Sequence, residues 1–401
     1  MFVVPTLIMD KKSISYNFDD IRPLHDNEVS AAIEELIASD GLQDALRYIS
    51  PAFDWDALVK TIRLCQTKAQ FKANISYNLV GLVAKLSTSS LTISGGERLP
   101  QNACTFISNH RDIVLDAAFL NVLLYDIGHG MTQVAIGDNL LIHPWIKPVV
   151  RLNNSFIVKR NMPVRQKLET SKILSAYIHH TIKETKESVW IAQREGRAKD
   201  SNDTTQTSVL KMLDMGGERD VLTNLMSLNI VPIAISYEYD PCDYLKAQEF
   251  QLKRDNPVFV KSKRDDLLNM EIGILQNKGR VHFTICNSIN PSLQMLPHQT
   301  NKNELIANIA WVIDREIYAN YRFYPCNYAA YDILFQTNMF ANEYEQQDRE
   351  MFEAYLQQQI DKIDIPKKDE KFLRNKLLEM YSNPLKNRLW ASSFSRFGTS
   401  P

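Results

Sequence analysis

Residues 104–120 read Cys104-Thr-Phe-Ile-Ser-Asn-His110-Arg-Asp-Ile-Val-Leu-Asp116-Ala-Ala-Phe-Leu120. The apolar run Cys104 to Ile107 predicts a buried strand, Ser108 to Asp112 a tight polar loop, and Ile113 to Leu124 an apolar helix. Strand, loop and helix in that order belong to an α/β sheet. In such sheets catalytic groups gather outside the carboxyl ends of the strands, so His110, with carboxylates at Asp112 and Asp116, stands where chemistry is expected.

His110-Arg111-Asp112 also spells the opening of the protein-kinase catalytic loop. That loop needs an asparagine five residues after the aspartate to hold magnesium, and here the position is Ala117. The Asp-Phe-Gly, Gly-rich and Val-Ala-Ile-Lys segments are missing too, which excludes a kinase.

Ser108-Asn109-His110 followed by Asp116 and an apolar helix resembles the first block of the glycerolipid acyltransferases, the glycerol-3-phosphate and 1-acylglycerol-3-phosphate acyltransferase family. The family sets four residues between histidine and aspartate, whereas five separate His110 from Asp116 and one separates it from Asp112. Leu115-Asp116 entering the helix reproduces the family's local context, so Asp116 is the expected partner and Asp112 the alternative. Phe156-Ile157-Val158-Lys159-Arg160 resembles the second block. Ile191 to Arg197, with Glu195-Gly196-Arg197, resembles the third, and Ile230-Val231-Pro232-Ile233 the fourth. The four blocks follow one another in family order across roughly a third of the chain.

The resemblance implies transfer of a fatty acyl group from a thioester, acyl-CoA or acyl carrier protein, to a glycerol phosphate-type acceptor. The favoured acceptor is 1-acylglycerol-3-phosphate, in phospholipid biosynthesis. His110 would be the general base and Asp116 or Asp112 its orienting carboxylate. Lys159, Arg160, Arg197 and Lys199 would bind the substrate phosphate, and Glu195 and Gly196 would line the acceptor site. An ordinary imidazole titrates near 6.5 and can take a hydroxyl proton at neutral pH, while a carboxylate on its other nitrogen fixes the tautomer. A dianionic headgroup calls for guanidinium forks and ammonium charges. No cofactor and no metal is expected, since the remaining histidines lack ligand spacing.

Each residue also has a plainer reading. A lone histidine after a strand most often fills a turn, Lys159 and its neighbours could be a solvated helix entry, and Glu195-Gly196 could be a simple turn. Lost activity in a lipid-binding protein, or a different lyso-lipid or aminolipid acceptor, would keep the same blocks.

The chain has 401 residues, 44% hydrophobic and 23% charged, as in globular proteins. Its formal net charge of −1 argues against nucleic acid as a partner. Five scattered cysteines without a Cys-x-x-Cys pair fit free thiols in a reducing compartment. No apolar run reaches spanning length and no export signal is read at the amino terminus, so a lipid-handling protein of this kind would be cytoplasmic, meeting the inner membrane face as a peripheral partner.

Helical periodicity over residues 27–87 and again beyond 297 brackets a central alternation of strands and helices. The expected organisation is a helical region at 1–88, an α/β domain at 89–297 and a helical extension at 298–401. The fold class is α/β, a mixed, largely parallel sheet flanked by helices. Residues 1–26 read as an irregular lead and the polar stretch 240–272 as an insertion or long connection. The stripe Phe71, Ile75, Leu79, Leu82, Val83 and Leu86 suits either core packing or a membrane surface.

Overall fold

A computed structural model describes residues 16–160, 162–296 and 301–394. The first fifteen residues of the irregular lead lie outside that range. Among the described residues seven strands form one sheet: β1 (Ser90–Ser94), β2 (Thr105–Ser108), β3 (Gln133–Gly137), β4 (Ser155–Val158), β5 (Val189–Ala192), β6 (Ile230–Tyr237) and β7 (Arg280–Ile285). Their order is β1-β7-β6-β2-β5-β3-β4.

Strands β2 to β6 run parallel, β7 is antiparallel to β6, and β1 pairs parallel with β7. The mixed, largely parallel sheet expected from the sequence is therefore present. All eight residues of β6 are buried, as expected of a central strand covered on both faces, and this is why it reads as an unbroken apolar run.

Side chains alternate across the sheet and divide the core in two. Phe106 of β2 packs with Phe119, Leu120 and Leu124 of the Leu115–Asp126 helix and with Val231, Ile233 and Phe283. Ile107, its neighbour, points the other way into a cluster built on Ile178, Ile191, Leu210 and Leu213. The Lys302–Ala319 helix joins that second cluster through Ile306, Ile309, Ile313 and Ile317, so it packs directly on the sheet. Truncating a fully buried phenylalanine such as Phe106 to alanine costs about 3–5 kcal/mol.

Before the sheet, the helices Asp26–Ile37, Asp40–Ile49 and Trp55–Arg63 share a core of Val29, Ile33, Leu36, Leu46 and Ile62. Of the 71–86 stripe, Phe71, Ile75 and Val83 are buried while Leu86 is 54% exposed. After Ala319, the helices Pro325–Phe335, Gln346–Asp361 and Glu370–Phe394 close around Phe352, Leu356, Leu373, Leu377 and Tyr381.

The stretch 240–272 is a long connection between β6 and β7, and it is helical rather than loop. It forms the helices Asp243–Asp255 and Lys263–Leu275. The first buries Asp243, Lys246, Glu249 and Gln251 beside Ala247, which inverts the usual apolar stripe and hides the period. After the two helices the chain returns to the end of β6, where the Glu238 N–H bonds the Arg280 carbonyl. From there β7 can only run opposite to β6.

Candidate functional site

Strand β2 occupies the middle of the sheet, and its pairing with β6 ends at Ser108–Ile233. Beyond it the Asn109 side chain takes over the ladder. Its Nδ2 donates to the Ile235 carbonyl at 2.9 Å, and its Oδ1 accepts from the Ile235 N–H at 2.8 Å. A side chain thus completes the β6 hydrogen bonds, and the backbone is free to turn away with His110 at the turn.

His110 Nδ1 lies 2.8 Å from Asp116 Oδ2. An ionised carboxylate only accepts, so Nδ1 carries the proton and Nε2 presents its lone pair. Among the described residues no side chain bonds Nε2. The ring stands edge-on to Trp190, centroids 5.9 Å apart, and Trp190 Nε1 donates to Ser108 Oγ at 3.0 Å. The His110 side chain keeps 13% exposure while Asp116 has none, so the imidazole bridges the interior and the outside.

Asp116 sits in the first turn of its helix. Its Oδ2 also accepts the backbone N–H groups of Arg111 at 2.6 Å and Asp112 at 3.1 Å, which folds the five-residue loop around the carboxylate. Asp112 is used differently. Its Oδ1 accepts from the N–H groups of Val114 and Leu115, at 2.8 and 2.7 Å, and caps the helix. Asp116 is therefore the carboxylate bonded to His110. Burial pushes the Asp112 carboxyl above its usual range, with Lys278 pulling it down and Asp116 pushing it up.

Around the pair lies a charged interior that the sequence did not announce. Tyr237, the last residue of β6, is buried with its hydroxyl beside Asp116; burial, then the Asp116 and Asp112 charges, raise its ionisation far above normal. Lys278 is buried with Nζ donating to the carbonyls of Ile274 and Gln276. Burial pushes it down to about 8 against the pull of Asp112. Arg111 forks onto Asp203 at 2.9 and 2.6 Å in a wholly buried pair, which Tyr321 also joins. Asp203 lies between β5 and the Thr207–Asp214 helix, and nothing local in the sequence marks it.

The four basic residues expected at the phosphate separate into different settings. Arg160 follows β4, its backbone N–H bonded to Asp138 Oδ1 at 3.0 Å and its guanidinium lying over Gly137. Its Nη1 is 3.8 Å from Glu195, so the segments that follow β4 and β5 meet here across β3. Lys159 turns to the other face and pairs with Asp20 at 2.9 Å, in an apolar cleft with Ile21, Ile157, Ile173 and Leu174. The structure does not bring it to Arg160.

Arg197 runs beneath the Lys263–Leu275 helix. Its Nη2 donates to Asn269 Oδ1 at 2.9 Å while its buried Nη1 has no partner among the described residues. Burial works against its charge, and Cys242, Asp112 and Asp240 around it outweigh burial. Lys199 bonds Glu249, whose Oε1 also holds Lys253 at 2.8 Å. Gly196 has φ +68° with open space where a Cβ would be, and the exposed Glu195 is bonded through its N–H to Gln206.

The Lys263–Leu275 helix roofs this arrangement. A Cβ on Gly273 would stand 2.5 Å from Asp112 Oδ2 and 3.7 Å from Cys242 Sγ, so only glycine lets the helix lie that close. A cleft lined by Arg111, Tyr237, Asp240, Tyr321 and Arg322 adjoins the charged interior, but His110 is not among its walls. Among the described residues no cluster of three or more His, Cys, Asp or Glu is disposed to hold a metal ion, and no helix is long and apolar enough to cross a membrane.

A base whose Nε2 has no side-chain partner among the described residues, with a carboxylate on its Nδ1, can deprotonate a hydroxyl, and Arg160 and Arg197 in the segments after β4 and β5 can hold an anion. Residues 90–236, from the start of β1 to the penultimate residue of β6, match the model of the acyltransferase family. The chain carries an acyltransferase domain. His110, Asp116, Arg160 and Arg197 fall inside that acyltransferase domain, whereas the roofing helix and β7 lie beyond it. No curated protein matches the chain in sequence. Among solved structures, it resembles the 1-acyl-sn-glycerophosphate (LPA) acyltransferase PlsC from Thermotoga maritima, at 10% identity over 72% of this chain and 93% of that one, with a TM-score of 0.34.

Proposed function

We propose that the acyltransferase domain transfers a fatty acyl group from acyl-CoA or acyl carrier protein to the free hydroxyl of a glycerol phosphate-type acceptor, 1-acylglycerol-3-phosphate first among them. The observation that carries this reading is the His110–Asp116 contact at the carboxyl edge of the central strand, which leaves Nε2 with no side-chain partner among the described residues on a ring that keeps 13% exposure. His110 Nε2 takes the acceptor hydroxyl proton as that oxygen attacks the thioester carbonyl. Asp116 holds the tautomer and stabilises the imidazolium. Collapse of the tetrahedral intermediate expels the thiolate, which takes the proton back from the imidazolium. The products are an ester and a free thiol.

Arg160, with Glu195 close by, and Arg197, with an unpartnered buried nitrogen, supply the positive charge for the phosphate. Lys199 adds to it from beside Arg197, and Lys159, engaged with Asp20, is left out of the assignment. The acceptor is amphiphilic, so the protein would work as a peripheral partner of a membrane's cytoplasmic face.

The test is a panel of acceptors, glycerol phosphate, lysophosphatidate and a neutral lyso-lipid, offered with one labelled acyl thioester to the purified full chain. Lysophosphatidate should be acylated fastest, and His110→Ala should remove the activity. Undiminished transfer by His110→Ala would end the mechanism, and preference for the neutral lyso-lipid would end the phosphate assignment.

A further inference from the structure

The loop joining the Asp243–Asp255 and Lys263–Leu275 helices carries the two most exposed large apolar side chains among the described residues, Val258 at 82% and Val260 at 84%. Single exposed apolar residues are ordinary on a protein surface. These two are held out by construction. Asn256 Oδ1 accepts the Val258 N–H at 3.2 Å, the Asn256 carbonyl accepts from Phe259 at 2.9 Å, and Pro257 stiffens the turn between them.

Cations surround the tip. Over residues 253–266 basic residues outnumber acids five to three, in a chain whose formal net charge is −1. All three acids are occupied, Asp255 in pairing with Arg254, Asp265 in capping the second helix from Ser262 and Asp266 in pairing with Lys261. Lys253 is 53% exposed at the base of the loop, next to Lys199 on their common Glu249.

The loop is also tied to the catalytic group. From Ser262 the second helix leads to Asn269, which bonds Arg197, and then to Gly273, which rests on Asp112. Seven residues of helix rise about 10 Å, so Ser262 at the foot of the loop lies about that far along the helix from Asn269. Amphipathic segments enter the boundary between headgroups and acyl chains to a depth of about 5–10 Å.

We propose that this loop is the membrane-docking element of the protein, with Val258 and Val260 entering an anionic bilayer and Lys253, Lys261 and Arg264 facing its phosphates. The proposal rests on the lipid-acceptor reading above and names the surface through which that acceptor is reached. The separation of the tip from His110 makes docking and chemistry separable in experiment.

The test uses the full chain and sedimentation with phosphatidylcholine vesicles, with and without phosphatidylglycerol. Wild type should bind the anionic vesicles better, and the double variant Val258→Asp/Val260→Asp should lose binding roughly ten-fold or more. Leu64→Asp, a control at a side chain 77% exposed elsewhere, should bind like wild type. Acylation of a short-chain lysophosphatidate below its micelle concentration should be equal in wild type and the double variant, while acylation of vesicle-borne acceptor should fall with binding. Equal binding by wild type and the double variant overturns the proposal, as does an equal loss in Leu64→Asp. So does concentration-dependent dimerisation abolished by the double substitution without any change in vesicle binding, which would assign the patch to a second copy. Loop-dependent binding with no acyl transfer to any lyso-lipid would instead refute the functional reading and leave the docking surface standing.

Discussion

His110 and Asp116 are joined Nδ1 to Oδ2 at 2.8 Å across a loop of five residues, because the same carboxylate oxygen also gathers the N–H groups of Arg111 and Asp112. The loop absorbs its additional residue by wrapping the anion. Asp116→Asn keeps size and removes the anion that stabilises an imidazolium, so kcat should fall about 10²–10⁴-fold with the fold intact. Asp112→Asn retains an acceptor for the helix cap and should keep kcat within about threefold. Steady-state kinetics and the Tm of both variants check this; a larger kcat loss at Asp112 would reverse the two roles.

Arg160 is free to meet an acceptor in a way Lys159 is not. Among the described residues its guanidinium shares an ion pair only with Glu195, at 3.8 Å, whereas Lys159 is committed to Asp20 at 2.9 Å. Arg160→Gln should therefore raise KM for a phosphorylated acceptor roughly ten-fold or more and leave KM for the thioester nearly unchanged, since a charge-assisted contact is worth about 1.5–3 kcal/mol. Lys159→Gln should do neither. Equal effects of Arg160→Gln on both substrates would remove it from the phosphate site.

These residues show what a sequence can and cannot disclose. Strands β2 and β6 were legible because a strand buried on both faces must be apolar throughout, and Asp116 was legible from its place at a helix start. The direction of β7 was not, because alternation reports burial and says nothing about which way a strand runs. The Asp243–Asp255 helix was hidden by its own buried polar residues, Lys246, Glu249 and Gln251. Lys159 and Arg160 are adjacent basic residues in one block, and only their partners in the fold, Asp20 for one and Glu195 for the other, separate them. Tyr237, Lys278 and Asp203 face Asp116, Asp112 and Arg111 respectively, residues far away along the chain, and leave no local trace.

The contact of Gly273 with Asp112 makes the roofing helix sensitive to a single methyl group. A Cβ there would lie 2.5 Å from Asp112 Oδ2, while one on Gly81 would meet nothing within 4 Å. Gly273→Ala should lower stability by about 1–3 kcal/mol through overpacking. Gly81→Ala, in the Tyr77–Ser87 helix, should raise it by about 0.4–1 kcal/mol. Urea denaturation of the two variants gives both signs in one experiment. Stabilisation by Gly273→Ala would mean that the helix does not rest on the catalytic loop.

Lys199 provides the pH dependence. Burial first, and then Lys253 and Lys261, push its ammonium down to about 7, because the Glu249 oxygen bonded to it is shared with Lys253. The cation is thus present below pH ~7 and lost above it, while an unperturbed lysine stays charged to pH ~10. The unfolded chain binds the additional proton between those values, so this group's contribution to stability rises with pH across that window. Its contribution to binding runs the opposite way. If Lys199 supports the acceptor phosphate beside Arg197, KM for the acceptor should climb about threefold to ten-fold between pH ~6 and pH ~8 in the wild type. Lys199→Arg, whose guanidinium remains charged throughout, should flatten that climb without altering the pH profile of KM for the thioester. An equally steep climb in the arginine variant would detach Lys199 from the acceptor site and leave Glu249 and Lys253 as its purely structural neighbours.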